Sequence, residues 1–137
     1  MHYLIYISTA VNALSDAELV SLLEQCRPNN LKLGITGMLL YKNGNFMQML
    51  EGNQHTVDTL FQRIKTDPRH KDVSEVMVGE TEKRYFPDWS MGFCNMDKVA
   101  ALPPLDQYVK AKLTLRSFEN DAQNAHHFMV MFNDANP

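Results

Sequence analysis

The sequence predicts an α+β fold of the ferredoxin-like type, in which an antiparallel sheet carries two helices on one face. Three observations predict it. Short segments rich in β-branched and aromatic residues alternate with two segments of helical periodicity. Their order is β-α-β-β-α-β-β, and the first six elements follow the ferredoxin-like pattern. Asn43-Gly44 separates two apolar runs, which is the strongest short-range signal for a β-hairpin.

Composition limits the possible functions. A length of 137 residues fits one domain, and the net charge of -3 gives no electrostatic reason to expect direct binding to nucleic acid or to a membrane. Cys26 and Cys94 are too few for a disulfide scaffold and are not spaced as metal ligands, so we expect a cytoplasmic protein. No stretch is long enough to span a bilayer, and the first residues lack the features of a secretory signal.

The first element is a predicted strand over residues 2–8, a run of aromatic and β-branched side chains. Because side chains alternate along a strand, Leu4, Tyr6 and Ser8 share one face. The residues between them point to the opposite face.

A helix is predicted to follow from about Asp16, directly after the serine that starts a Ser-x-x-Glu capping box. Leucines recur along it at helical spacing. We expect the helix to end at Pro28, which lacks an N–H donor and disfavours helical geometry in the residue before it. Asn29 and Asn30 would then lie just past its end.

The hairpin strands are predicted over residues 35–41 and 46–50. A second amphipathic helix follows and ends before Pro68, and two further strands are predicted at 73–78 and 86–93. A charged loop separates these last two strands.

The first three strands are apolar on both faces, whereas two helices cover only one face of a sheet. The other face therefore needs cover from the rest of the chain or from another subunit. Residues 98–137 contain apolar segments with helical spacing. We divide the chain into a domain of residues 1–97 and a C-terminal helical extension of residues 98–137, which packs on the second face or at an oligomer contact.

Several motifs of common enzyme classes are absent. The sequence has no G-x-G-x-x-G, Walker loop, H-E-x-x-H or G-x-S-x-G, although enzymes with other motifs remain open. The five histidines are scattered apart from His126-His127, and adjacent residues point in different directions on regular structure. No metal site is predicted.

Gln48 is a single amide among apolar residues of the third strand, where an unpaired polar group would cost about 1–3 kcal/mol. The first and third strands are neighbours in a ferredoxin-like sheet, so Tyr6 and Gln48 are predicted to lie within contact distance. The partner of Gln48 is either another group of the core or a ligand on the face of the sheet.

Further polar residues are predicted around a groove between the two helices. Asn29 and Asn30 end the first helix, and Arg63 and Asp67 lie one turn apart on the second. Each also has a purely structural interpretation. Asn30 would be a helix C-cap, Arg63 and Asp67 a surface ion pair, and Tyr6 a core aromatic residue with a satisfied hydroxyl.

Taken together, these polar groups outline a planar slot that also has an apolar lining, formed by Leu22, Ile35 and Ile64. Such a slot suits a flat heteroaromatic ligand. Periodicity alone does not identify that ligand.

Six motifs in this order resemble the BLUF family, the flavin-binding blue-light sensors, over roughly the first two thirds of the chain. The motifs are Tyr6-Ile7-Ser8, Asn29-Asn30, ITGMLLY at 35–41, FMQMLEG at 46–52, Asp67-Pro68-Arg69-His70 and Trp89-Ser90-Met91. The last third carries no recognisable resemblance. In particular, it does not look like the cyclase or phosphodiesterase domains that some family members carry.

The resemblance implies a noncovalent flavin, FAD with FMN or riboflavin as alternatives, between the two helices. Tyr6 would donate an electron to the photoexcited flavin, and Gln48 would be the amide between Tyr6 and the ring. Reversal or tautomerisation of Gln48 would change its hydrogen bonds and shift the absorption slightly to the red. Trp89 and Met91 would alternate beside Gln48 and pass the signal into the last strand, and Ser8 would bond an inward Trp89.

The resemblance also assigns the other site residues. Asn30 would bond the polar edge of the flavin, and Leu22 and Ile64 would sandwich its ring. The remaining cofactor contacts would be Asn29, Ile35, Arg63, Asp67 and His70.

The sequence is therefore interpreted as a blue-light photoreceptor rather than an enzyme. It would signal by changing protein–protein contacts, within a homo-oligomer or with an unidentified partner. Two alternatives stay open at this point. One is a small ferredoxin-like, phosphate-binding enzyme of the acylphosphatase type, and the other is a flavin-binding or interaction module that does not respond to light.

Overall fold

The computed structural model describes residues 1–87, 90–95 and 97. Their elements are β1 (His2–Ala10), α1 (Asp16–Leu33), β2 (Thr36–Lys42), β3 (Asn45–Gly52), α2 (Gln54–Lys65), β4 (His70–Glu80) and β5 (Gly92–Asn95). The helical extension expected over residues 98–137 lies outside the described residues. No helix in the described part of the chain is long and apolar enough to cross a bilayer.

The five strands form one sheet in the order β4-β1-β3-β2-β5. The first four pair antiparallel in the ferredoxin-like order, whereas β5 runs parallel to β2 at the edge. The predicted α+β fold is confirmed, with a mixed sheet. Within the β1–β3 pairing, Tyr6 lies directly opposite Gln48.

The two helices share one face of the sheet, where their apolar side chains join the core. Leu19 and Leu23 of α1 and Val57 and Phe61 of α2 are buried in one cluster with sheet residues such as Leu50. Burying side chains of this kind contributes about 1.5–3 kcal/mol each. Buried side chains of the opposite face, by alternation along the strands, are Ile5, Met38, Leu40, Met47 and Met49.

The hairpin turn has the conformation that Asn-Gly predicts. Asn43 and Gly44 have φ values of 52° and 77°, both in the left-handed region that the favoured two-residue hairpin turn requires. The capping box that begins α1 is also present, because Ser15 and Glu18 exchange hydrogen bonds.

The predicted end of α1 at Pro28 is wrong, because the helix continues to Leu33 with Pro28 inside it. Gly34 ends the helix in a left-handed conformation, and its N–H bonds the carbonyls of Asn30 and Leu31. Asn29 and Asn30 therefore lie on the helix and not past its end, and Asn30 is not the C-cap. Proline removes one backbone hydrogen bond from a helix, and in the turn that follows Pro28 the side chain of Asn30 bonds the Ser90 carbonyl and stabilises the helical residues beyond the proline.

Two strands and one helix end also differ from prediction. β4 extends beyond the expected 73–78 at both ends. The strand predicted at 86–93 is wrong at residues 86, 87, 90 and 91, because β5 covers Gly92–Asn95, and residues 88 and 89 lie outside the described part of the chain. α2 ends at Lys65 and is capped by Thr66, so Asp67 lies beyond the helix rather than one turn along it from Arg63.

Candidate functional site

A cavity of about 910 Å³ lies between α1, α2 and the helix-covered face of the sheet. Its size is in the range of small-molecule and cofactor sites. The expected site residues on its lining are Tyr6, Leu22, Asn29, Asn30, Gln48, Arg63, Ile64, Asp67 and His70. Ile35 is the exception, because it is fully buried and borders a separate cavity of about 330 Å³ beside Arg84 and Ser90.

The floor of the large cavity carries a buried hydrogen bond between Tyr6 and Gln48. The Tyr6 hydroxyl donates to Oε1 of Gln48, and the two side chains are 4% and 7% exposed. The Tyr6 ring packs against Phe61 with 5.4 Å between ring centroids. Burial raises the pKa of Tyr6 well above its ordinary value, so the phenol keeps its proton and remains a donor. The amide oxygen of Gln48 thus has its partner within the core.

The nitrogen of the Gln48 amide is less well satisfied. Nε2 donates to Sδ of the buried Met91 at 3.3 Å. A thioether sulfur is a weak acceptor, and a primary amide has two N–H donors. A ligand with a strong acceptor at the cavity floor would therefore gain a hydrogen bond that Met91 provides only weakly.

Two side chains of α1 hold the backbone next to this contact. Nδ2 of Asn30 donates to the Ser90 carbonyl at 3.0 Å, and Nε of Arg27 donates to the Met91 carbonyl at 2.9 Å. Asn30 is only 2% exposed, so its amide is fixed by this bond while it also borders the cavity. These bonds join the cavity to the segment that leads into β5.

The far wall of the cavity includes His70. Its Nε2 lies 2.5 Å from the Ile64 carbonyl and its Nδ1 lies 2.8 Å from the hydroxyl of Ser8. A carbonyl only accepts, so Nε2 carries a proton and donates to Ile64, while Nδ1 shares a hydrogen bond with the hydroxyl of Ser8. Ser8 thus bonds His70 here, whereas Trp89, its expected partner, lies outside the described residues.

An ion pair stands at the rim. Oδ2 of Asp67 lies 2.5 Å from Nη2 of Arg69, and Nε of Arg69 also donates to the Asp67 carboxylate. The hydrogen bonds from the Arg69 side chain hold the pKa of Asp67 below its usual value. Nη1 of Arg69 also donates to Gln25, which joins the loop after α2 to α1. The alternative ion pair of Asp67 with Arg63 is wrong. Within the described part of the chain, the Arg63 side chain has no hydrogen-bonding or ionic partner, and neither does Asn29.

The lining also includes residues that sequence reasoning did not select. Cys26 is one of them, and burial raises the pKa of its thiol. Cys26 lies four residues after Leu22, on the same side of α1, so its place on the cavity lining could have been predicted from helical spacing. Arg69 carried no comparable signal, because its contact with Gln25 depends on the tertiary fold.

The cavity fits the flat heteroaromatic group that the sequence predicts. Leu22 and Ile64 supply apolar side chains from two different helices. The Gln48 amide lies at the floor, and its Nε2 donates only to the weak acceptor Sδ of Met91. Asn29 and Arg63 line the cavity with exposed side chains whose polar groups are available to a ligand. The residues present therefore fit a flavin.

Comparison with known proteins gives consistent results. The family model described as BLUF, sensors of blue-light using FAD, matches residues 1–92. The photoactivated adenylate cyclase subunit beta of Euglena longa is 37% identical over 103 residues, which cover 74% of this chain and 12% of that protein. The corresponding subunit of Euglena gracilis gives the same identity and coverage. The chain thus spans about an eighth of the length of these curated relatives.

Two solved structures show the same fold with sequence similarity. The dark-state structure of BlrB, a BLUF protein, superposes with a TM-score of 0.71 at 33% identity and covers 93% of each chain. Klebsiella pneumoniae BlrP1 with FMN and cyclic diGMP gives a TM-score of 0.66 at 35% identity, covering 71% of this chain and 26% of that one.

Proposed function

The chain belongs to the BLUF family of flavin-based blue-light sensors, and we propose that its light response arises at the Tyr6–Gln48 pair on the cavity floor. The observation that carries this proposal is the hydrogen bond from a buried phenol to an amide that itself borders a cofactor-sized cavity. An amide is both donor and acceptor, so it can exchange one bonding pattern for another in place.

The residues of the two helices would hold the cofactor. Leu22 and Ile64 would contact the two faces of the ring, and Asn30 would bond its polar edge. Asn29, Arg63, Asp67 and His70 would contact the pyrimidine edge or the side chain of the cofactor. Their position on the cavity lining supports these roles.

Flavin, when bound, supplies the blue absorption and an excited state that accepts an electron. Tyr6 would give an electron and then the proton on its hydroxyl, which already points at Oε1 of Gln48, to the flavin. Gln48 would reverse or tautomerise in response, since either change exchanges its donor and acceptor atoms. Once the electron and proton return to Tyr6, the new arrangement of Gln48 would persist as the lit state.

The lit state would reach the sheet edge through Met91. Its sulfur contacts Nε2 of Gln48, and the next residue, Gly92, begins β5. Any rearrangement of Gln48 therefore changes the contact of a residue attached to that strand. Trp89 would alternate with Met91 in this role.

The output would be a change in protein–protein contacts rather than a reaction catalysed by the chain. Residues 1–97 would act as the sensor, and residues 98–137 would cover the second face of the sheet or form an oligomer contact. The apolar side chains on that face support this arrangement. A homo-oligomer and an unidentified downstream partner complete the proposal, and the relatives described as cyclase subunits show one effector to which such sensors are joined.

FAD is the proposed cofactor, because the family model is described by FAD. FMN and riboflavin are the alternatives, and the structure of BlrP1 contains FMN. The cytoplasmic location expected from the two cysteines is part of the same proposal.

Absorption spectra of the purified protein in the dark, under blue light and during dark recovery test this function. We expect a yellow protein with a small, reversible red shift, and chromatography of the released cofactor against FAD, FMN and riboflavin standards identifies it. A yellow protein with no shift would leave a flavin binder that does not sense light. A colourless protein that takes up no added flavin would contradict the proposal entirely.

A further inference from the structure

Glu51 on β3 is a fully buried carboxylate on the face of the sheet opposite the helices, and the light response described above does not use it. Three donors point at it. Oε2 accepts the backbone N–H of Tyr85 at 2.7 Å, while Oε1 accepts that of Phe86 at 2.7 Å and the hydroxyl of Thr36 at 2.9 Å. The backbone N–H groups of Tyr85 and Phe86, which lie 34 and 35 residues after Glu51, therefore both bond its carboxylate.

The hydroxyl of Thr36 extends this network to a cation. It donates its one proton to Glu51 and accepts from Nη1 of Arg84 at 2.9 Å. Arg84 also donates to the backbone carbonyls of Glu51 and Gly34. The hydrogen bonds from Arg84, Tyr85 and Phe86 thus attach three consecutive residues to β3 and to the start of β2.

The segment held in this way leads directly to Met91. Its beginning, residues 84–86, is bonded to Glu51 and its surroundings on one face of the sheet. Its end contacts Gln48 through Met91 on the other face. Gln48 and Glu51 belong to the same strand three residues apart, so their side chains point to opposite faces. β3 therefore holds both ends of residues 84–91.

We propose that Glu51 is a positioning residue for the light response, which fixes the start of this segment and thereby limits how far Met91 moves from Gln48. This inference rests on the proposed function, since it assigns Glu51 a part in the same switch. Weakening the attachment would loosen Met91 and lower the barrier for Gln48 to return to its dark arrangement. The consequence is faster dark recovery with an unchanged red shift.

The substitution Glu51→Gln tests this inference. Glutamine keeps the size of the side chain but has one acceptor oxygen instead of two, so its NH₂ group faces a donor and at least one bond to Thr36, Tyr85 or Phe86 is lost. Glu80→Gln is the matched control, because Glu80 is a strand carboxylate at the far edge of the sheet that bonds His2. Both proteins are prepared with flavin and compared with wild type.

Two readouts are measured. Dark recovery of Glu51→Gln should be faster than that of wild type by about 2- to 10-fold, the factor that one hydrogen bond makes in a rate. Hydrogen exchange of at least one of the Tyr85 and Phe86 amides should accelerate by about tenfold, because the amide that faces the NH₂ group of glutamine loses its acceptor. Glu80→Gln should leave both rates at the wild-type value.

The outcomes separate this inference from the proposed function. A wild type without a red shift overturns both. A wild type with a normal shift, together with Glu51→Gln rates equal to those of Glu80→Gln, overturns the role of Glu51 alone. If Glu51→Gln does not fold, the dark recovery of Thr36→Val is compared with that of wild type and Glu80→Gln instead. Thr36→Val removes only the hydroxyl between Glu51 and Arg84 and should also accelerate recovery, and an unchanged rate would overturn the inference.

Discussion

Replacing Tyr6 with phenylalanine removes the hydroxyl that donates to Gln48 and leaves the ring in place. The contact of the ring with Phe61 at 5.4 Å is kept, so little packing is lost. Oε1 of Gln48, in a side chain only 7% exposed, loses its partner in the core. A buried acceptor without a partner costs about 1–3 kcal/mol, so the free energy of unfolding should fall by about that amount.

Tyr6→Phe should also abolish the light response. The protein should bind flavin and stay yellow, because the cavity keeps its shape. It should lose the reversible red shift, because phenylalanine has no hydroxyl and does not replace the tyrosine as electron donor. Chemical denaturation measures the first effect, and absorption spectra in the dark and under blue light measure the second. The free energy is compared at equal flavin saturation, because ligand binding itself stabilises the folded state.

Tyr41→Phe is the matched control. Tyr41 is 3% exposed, and its hydroxyl accepts the backbone N–H of Leu14 at 3.2 Å. This variant should lose stability to a similar extent yet keep the red shift and the recovery. A normal photocycle in Tyr6→Phe, or its loss in Tyr41→Phe as well, would refute the assignment of Tyr6 as the donor.

Three further predictions concern the same cavity. Gln48→Leu should bind flavin and remain yellow but show no red shift on illumination, and retention of the wild-type shift would contradict the amide switch. Because burial raises the pKa of Tyr6, the amplitude of the red shift should stay constant from pH 7 to about pH 10, the ordinary pKa of a tyrosine; a decline in that range would show an ionising phenol. Arg69 lowers the pKa of Asp67, so their pair stabilises the fold above the ordinary Asp pKa of about 3.9, and this contribution is lost as pH falls below that value. Asp67→Asn should therefore reduce the free energy of unfolding at pH 7 by less than about 1 kcal/mol, since the pair is partly exposed, and by less still at pH 3, as measured by urea denaturation.

Local signals accounted for most of the fold. The hairpin followed from Asn43-Gly44 because both residues tolerate positive φ, and the beginning of α1 followed from its capping box. The contact of Tyr6 with Gln48 followed from the alternation of side chains once β1 and β3 were taken as neighbours. In each case a few adjacent residues, or one rule of sheet geometry, determined the result.

Two of the errors arose where contacts distant in sequence outweighed a local preference. α1 continues through Pro28, and its last turns are held by Asn30, which bonds a carbonyl 60 residues away. Phe86 was predicted to lie in a strand, but its N–H bonds the carboxylate of Glu51. Asp67 pairs with Arg69 because α2 ends two residues before it. The contacts of Asn30 and Phe86 have no signature in the local pattern, whereas Asp67 and Arg69 are neighbours in the chain and the error there was the predicted position of the helix end.

Infrared difference spectroscopy on protein with heavy-nitrogen-labelled glutamine side chains tests the central claim most directly. Light should shift bands that carry the isotope effect, because the hydrogen bonds of the Gln48 amide change on illumination. The same bands should be absent from the difference spectrum of Gln48→Leu. A light-minus-dark spectrum with no isotope-sensitive bands, in a protein that shows the red shift, would contradict a switch based on Gln48.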